Sequence, residues 1–183
     1  MKLRPFANFW TERVEAYLLD TSALSPAVDP GHLQHADAIT TLKSIGTDPI
    51  FVSVVALAEL MYGFELFHRS TGIVLPDAAE MLAAAKLWPP IGVSHHTAVV
   101  YAELKASLAI HYLPSVTRKF RKRHLEDWID KFTNKTLGID DNDLWICAQA
   151  RLSNFVVVRG DKKMDVIQKA DPQLKMMLIG ETV

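Results

Sequence analysis

The feature that most constrains this chain is an alternation. Short apolar runs, several of them β-branched and ending at or beside a polar residue, are separated by longer stretches in which apolar residues recur with helical period. The runs predicted as strands are residues 16–19, 50–53, 90–93, 155–158 and 177–179, and the stretches predicted as helices are 34–44, 54–67, 77–87, 96–111 and 141–152. Within 54–67, Leu57, Leu60, Met61, Phe64 and Phe67 fall on one face, Ser53 suits the N-cap, and Pro76 stands just ahead of the next helix. Strands that alternate with helices form βαβ units with right-handed crossovers and a mainly parallel sheet. The predicted fold class is α/β.

Composition narrows the function classes. Hydrophobic residues are 49% of the 183 and charged residues 22%, so the chain can bury a core without disulfide or metal staples and is no disordered segment. Twenty Lys and Arg against 21 Asp and Glu leave a net charge of −1, which excludes a global pull on nucleic acid and leaves only a local patch. Cys147 is the single cysteine; it can make neither an internal disulfide nor a multi-thiolate metal site, as expected in a reducing compartment. The N-terminus lacks the apolar stretch of a secretory signal, and Glu59 and Lys86 interrupt the longest membrane-span candidates. A cytoplasmic location without a membrane partner is predicted.

Sites in open parallel sheets form at the carboxyl ends of strands. Four acids are predicted there: Asp20 after Tyr17-Leu18-Leu19, Glu59 about one and a half turns into the helix after the second strand, Asp143 where a polar cluster opens the helix 141–152, and Asp161 after Val156-Val157-Val158-Arg159-Gly160. Converging carboxylates need a counter-charge, and hard oxygen donors without thiolate or paired imidazoles suit Mg²⁺ or Mn²⁺. That donor set suits metal-assisted phosphodiester hydrolysis. The plain structural alternatives are an N-cap at Asp141 or Asn142, a solvated turn at Asp140 and a loop acid at Asp161.

The local phrases carry more than the acids alone. Leu18-Leu19-Asp20-Thr21-Ser22-Ala23-Leu24, then 52–63 (VSVVALAELMYG), then 142–150 (NDLWICAQA), then Val157-Val158-Arg159-Gly160-Asp161 occur in that order. Together with 96–108 (HTAVVYAELKASL) they resemble the PIN-domain family, and within it the VapC-type toxin ribonucleases, over roughly residues 16–170. The resemblance implies a three-layer α/β/α sandwich and Mg²⁺- or Mn²⁺-dependent cleavage of RNA to 5′-phosphate and 3′-hydroxyl ends. It implies Asp20, Glu59 and Asp143 as the central acids, Asp161 as the fourth, and Ser22 as the hydroxyl that helps position the metal; Asp141 is an outer-shell group of lower rank. It also implies an antitoxin partner laid along the active groove and a homodimer. Compared with the family, residues 1–15 form an N-terminal extension ahead of a domain at 16–183, an extended basic helical segment is expected at 111–137, and Arg159 stands where the family often has Thr.

Arg118, Lys119, Arg121, Lys122 and Arg123 concentrate five cations in six residues around Phe120. They suit contact with an RNA backbone, with Phe120 against a base. A solvated helix face with pairs Lys122–Glu126 and Arg123–Asp127, or docking of an acidic partner, are the alternatives. Cys147, Trp145 and Ile146 read as core, the neighbours His95 and His96 as a helix start, and Phe6, Phe9 and Trp10 as an arm over the sheet or a partner-binding edge.

The leading function is thus a metal-dependent endoribonuclease that acts as a toxin. A catalytically silent PIN-like scaffold for RNA or protein is the alternative. An aspartyl phosphatase of the haloacid dehalogenase type needs an acid two residues after Asp20, where Ser22 stands.

Overall fold

A computed structural model describes residues 15–117 and 122–181. Strands β1 (Tyr17–Leu19), β2 (Ile50–Ser53), β3 (Pro90–Ile91), β4 (Val156–Arg159) and β5 (Lys175–Leu178) form one sheet in the order β3-β2-β1-β4-β5. Every pairing is parallel, with Tyr17 opposite both Ile50 and Val156. β1 is central because its residues are apolar on both faces: Tyr17, Leu18 and Leu19 are all buried.

Helices α1 (Thr21–Val28), α2 (His35–Ile45), α3 (Val54–Thr71), α4 (Ala78–Ala85), α5 (His95–Tyr112), α6 (Asp141–Ser153) and α7 (Asp165–Ala170) cover the sheet in an α/β/α sandwich. The core joins the strand residues to Leu24, Leu60, Leu104, Leu108, Leu144 and Ile146 of the helices. Cys147 and Ile146 are buried within it, while Trp145 is half-buried and stacks on Tyr101 with ring centroids 4.1 Å apart. His95 and His96 open α5 behind the Ser94 cap and are exposed. Among the described residues no helix is long and apolar enough to cross a membrane.

The predicted alternation holds, with four differences. Two short helices were not anticipated. α1 follows Asp20 directly and carries Pro26 in its interior, a residue that argues against helix; α7 is only six residues long. The last strand starts two residues earlier than expected, because Lys175 and Met176 pair with Val156 and Val157.

The apolar stripe of α3 is buried only in its first half. Leu60 is in the core and Leu57 and Phe64 pack against it, whereas Met61 and Phe67 are exposed together with Tyr62 and Leu66. An 18-residue helix runs about 27 Å, roughly twice the four-residue strand that feeds it, so its far end outruns the core.

The segment 111–137 is not the expected helix beyond the end of α5. Among its described residues there are only a 3₁₀ turn at Leu125–Asp127 and an isolated antiparallel bridge between Ile129 and Thr136. Pro114 stops helix at 113, and Leu125 and Trp128, both buried, tie the segment to the core instead. The Trp128 indole N–H donates to the Lys122 carbonyl at 2.9 Å. Residues 1–14 and 118–121, which include Phe6, Phe9, Trp10, Arg118, Lys119, Phe120 and Arg121, lie outside the described residues.

Candidate active site

The site is built where β1 ends. Asp20 leaves the strand in an extended conformation and becomes the N-cap of α1, its carboxylate accepting the Ala23 N–H at 2.8 Å. The Ser22 hydroxyl donates to the same carboxylate at 2.9 Å and accepts the Gly160 N–H at 2.7 Å. This relay fastens the end of β1 to the end of β4. It also explains Gly160: a Cβ there would stand 2.3 Å from the Ser22 carbonyl oxygen. Pro26 has no N–H to bond that carbonyl four residues back, so the close approach of β4 displaces no helical hydrogen bond.

Asp143 arrives from the other direction. Asn154, in the left-handed conformation, ends α6 and turns the chain into β4, so α6 runs antiparallel to the strands and starts at their carboxyl edge. The helix opens with a reciprocal capping box in which the Asp140 side chain accepts the Asp143 N–H and the Asp143 side chain accepts the Asp140 N–H, both at 3.0 Å. The cap is therefore Asp140, and neither Asp141 nor Asn142. A buried network holds the helix down: Ser53 donates to Gln149 at 2.6 Å, and Gln149 donates to the Ile91 carbonyl at 2.7 Å.

These two acids are 1% and 3% exposed. Burial pushes Asp20 up to about 7, against the donation it receives from Ala23 and Ser22, and the charges of Asp143 and Asp161 push the same way. Burial likewise pushes Asp143 up to about 6, although the Lys163 ammonium opposes it from 2.9 Å.

Glu59 is half-buried and held by side chains. It accepts from the Thr21 hydroxyl and, at 2.8 Å, from the Asn142 amide, the immediate neighbours of Asp20 and Asp143. Asp161 is exposed, and its carboxylate accepts the Lys163 N–H of its own turn at 2.9 Å. The edge thus gathers Asp20, Glu59, Asp143 and Asp161. As the side chains stand, no three carboxylates or imidazoles among the described residues converge on a point that could hold a metal ion.

The donor chemistry fits a hard divalent cation. The buried groups are oxygen donors with a shortage of positive charge, and the one buried thiol, Cys147, belongs to the core, where burial pushes it well above its ordinary range.

Around this edge are Thr21 and Lys163, to which the sequence pattern gives no role, and Asp140 and Asn142, which it assigns to a solvated turn and a candidate N-cap. A further cluster supports the start of α6. The Lys105 ammonium bonds Asp141 and the Tyr101 hydroxyl, each at 2.7 Å, and Tyr101 donates to Asp141. Burial works to raise the Asp141 carboxyl, but these bonds, with His124 nearby, hold it below its usual range. Arg159, nearly buried, pairs with Asp165 at 2.6 Å and donates to the Asp161 carbonyl at 2.8 Å, fixing the loop after β4.

Of the basic segment only Lys122 and Arg123 are described, and both are exposed. The helical register needed to pair them with Glu126 and Asp127 does not form, since the 3₁₀ turn begins only at Leu125.

Solved structures share this fold. A VapBC2 structure from Rickettsia felis, bound to a DNA fragment from its promoter, matches with a TM-score of 0.60 at 20% identity over 89% of this chain and 98% of that one. VapBC-5 of Mycobacterium tuberculosis, described as a member of the VapBC family of toxin-antitoxin systems, matches at 0.53 and 20% identity over 90% and 98%. VapBC-1 of nontypeable Haemophilus influenzae matches at 0.55 and 17% over 91% and 99%. No curated protein sequence matches the chain. The sequence model of the PIN domain matches residues 17–170, from the first residue of β1 to the last of α7, and the chain belongs to the PIN-domain family.

Proposed function

We propose that this protein is a Mg²⁺- or Mn²⁺-dependent endoribonuclease and the toxin of a toxin–antitoxin pair. One observation carries the reading: Asp20 and Asp143 are buried at one sheet edge, within each other's field, with a lysine against Asp143 and none paired with Asp20 among the described residues. Two such carboxylates oppose folding unless they serve something the folded protein binds.

Asp20 and Asp143 would hold the cation, with Glu59 and Asp161 at its margin. When bound, the ion would supply a nucleophilic water at neutral pH and neutralise charge on the phosphoryl oxygens. The chain's own residues do the positioning. Ser22 keeps the Asp20 carboxylate aimed away from the strand through its bond from Gly160. The Asp140 box fixes one oxygen of Asp143 and leaves the other facing the edge. Thr21 and Asn142 orient Glu59, which is then placed to accept a proton from an attacking water. The segment containing Arg118, Lys119, Arg121, Lys122 and Arg123 would contact the RNA backbone.

The antitoxin and dimer readings are supported by exposed apolar residues on the far half of α3, where Met61, Tyr62, Leu66 and Phe67 are followed by Ile73 and Val74. They are supported too by the VapBC assemblies that share the fold.

A silent PIN-like scaffold is favoured by one fact, the occupation of Asp143 by Lys163. RNA cleavage assayed with Mg²⁺, with EDTA and with Asp143→Asn separates the two. Cleavage lost in both controls is the expected result; cleavage that survives either control excludes the mechanism, and metal-independent RNA binding without any cleavage establishes the scaffold.

A further inference from the structure

The loop from β4 to α7 is anchored along its length. Gly160 donates its N–H to Ser22 and accepts from the Gln34 amide at 3.2 Å; the Asp161 carbonyl accepts from Arg159; the Lys163 N–H is bonded to Asp161; and Asp165 is paired with Arg159. The anchored backbone projects one long side chain to the acidic edge. Lys163 reaches Asp143 at 2.9 Å, bonding Oδ1, the oxygen that the capping box leaves free. The pair is asymmetric. The Asp143 side chain is 5% exposed and that of Lys163 is 37% exposed, so the acid is fixed and buried while the ammonium has an open route to water. A flexible four-carbon stem on a fixed backbone is suited to leaving and returning.

We propose that Lys163 is a built-in competitor for the divalent cation: its ammonium holds Oδ1 of Asp143 in the ion-free protein and is displaced from it when the ion binds. Ion binding is then an exchange, in which Lys163 moves outward as the ion enters. The released ammonium is then available to a phosphodiester oxygen of bound RNA. This rests on the metal-site reading of Asp20 and Asp143.

The test is titration of the full chain with Mn²⁺ alone by calorimetry at pH 8, where protons no longer compete for the acids. Lys163→Met is expected to bind Mn²⁺ about three- to tenfold more tightly than the wild type, and Lys163→Arg, which keeps the counter-charge, to bind as the wild type does. With Mg²⁺ saturating, Lys163→Met is expected to raise KM for RNA more than it lowers kcat. Mn²⁺ affinity that is unchanged or weaker in Lys163→Met overturns the exchange. Asp143→Asn tells the two levels apart. If it abolishes Mn²⁺ binding while Lys163→Met has no effect, only the lysine proposal fails; if it binds Mn²⁺ like the wild type, the metal-site reading fails as well.

Discussion

The acids on the carboxyl edge of the sheet fall into two kinds. Asp20 and Asp143 cap or open helices, are almost fully buried and sit well above the ordinary carboxylate range. Glu59 and Asp161 are reached by solvent and held by neutral donors, namely Thr21 and Asn142 in one case and a backbone N–H in the other. A solvated carboxylate costs the fold little. A buried one beside another buried one is a standing cost, and here a single lysine offsets it only in part. The chemistry should therefore depend steeply on the buried pair and weakly on Asp161, and stability should follow the opposite order.

The largest effect is expected from Asp20→Asn and Asp143→Asn. Each should lower RNA cleavage by at least about a thousandfold, on the order of 4 kcal/mol in the barrier. Each should also raise the melting temperature of the metal-free protein at pH 8, since Asn can cap α1 at position 20 and accept the Asp140 N–H at position 143, and brings no buried charge. Activity and thermal melts on the same preparations check both directions. Activity lost together with stability would make these acids structural and erase the contrast.

That contrast was partly legible in the amino-acid sequence. Asp20 and Asp143 stand at transitions between an apolar run and a polar cluster, so a carboxylate at a strand end or helix start could be placed by pattern alone. Depth of burial could not. It depends on β1 being the central strand and on α6 being pressed down by the Ser53–Gln149–Ile91 bonds, which join positions 96 and 58 residues apart. Helix α1 escaped notice because Pro26 argues against helix locally, while the packing of Leu24 and Val28 overrides it. Lys163 was hidden for another reason. In sequence it is one of two adjacent lysines after an acid, and only the turn closed by Asp161 decides that it, and not Lys162, faces Asp143.

Next in size is Gly160→Ala. The added methyl would meet the Ser22 carbonyl at 2.3 Å, a backbone atom that cannot rotate aside, so β4 must move from β1 and the Ser22 relay must lengthen. A loss of about 2–4 kcal/mol is expected from chemical denaturation. A loss under about 0.5 kcal/mol would mean that the relay is slack and that Asp20 is not fixed through it.

The pH dependence of the metal-free protein has a sign set by the same burial. The folded values of about 7 for Asp20 and about 6 for Asp143 lie above the ordinary 3.8, so the folded state binds protons that the unfolded state has lost. The stabilisation from these two groups is full below about pH 4 and is lost as pH rises toward 7. In EDTA the protein should be less stable at pH 8 than at pH 5 by about 2–4 kcal/mol. Asp20→Asn should remove more than half of that difference. Saturating Mn²⁺ should restore stability at pH 8. A metal-free protein that is equally stable at both values would place the two acids with Glu59 and Asp161.

Asp161→Asn is the counterpart on the exposed side. An amide oxygen still accepts the Lys163 N–H, so the turn survives, and only a solvated charge is lost. Cleavage should fall by no more than about fivefold, with stability within about 0.5 kcal/mol of the wild type. A thousandfold loss would move Asp161 into the same class as Asp20.

The smallest effect tests the other exposed charges. Lys122 and Arg123 are solvent-facing, outside any helix that would pair them with Glu126 and Asp127. Cations in that setting act on a nearby polyanion through counterion release and not through base reading. Replacing both with Ala should leave kcat at saturating RNA unchanged and raise KM about threefold at low salt. The slope of log affinity against log salt should become shallower by about 1.4, because each of the two lost phosphate contacts to a single strand removes roughly 0.7. The same change should appear for RNAs of unrelated sequence. A loss confined to one sequence would instead assign the segment to base recognition. An unchanged slope would remove Lys122 and Arg123 from the RNA contact and leave them free to take an acidic protein partner.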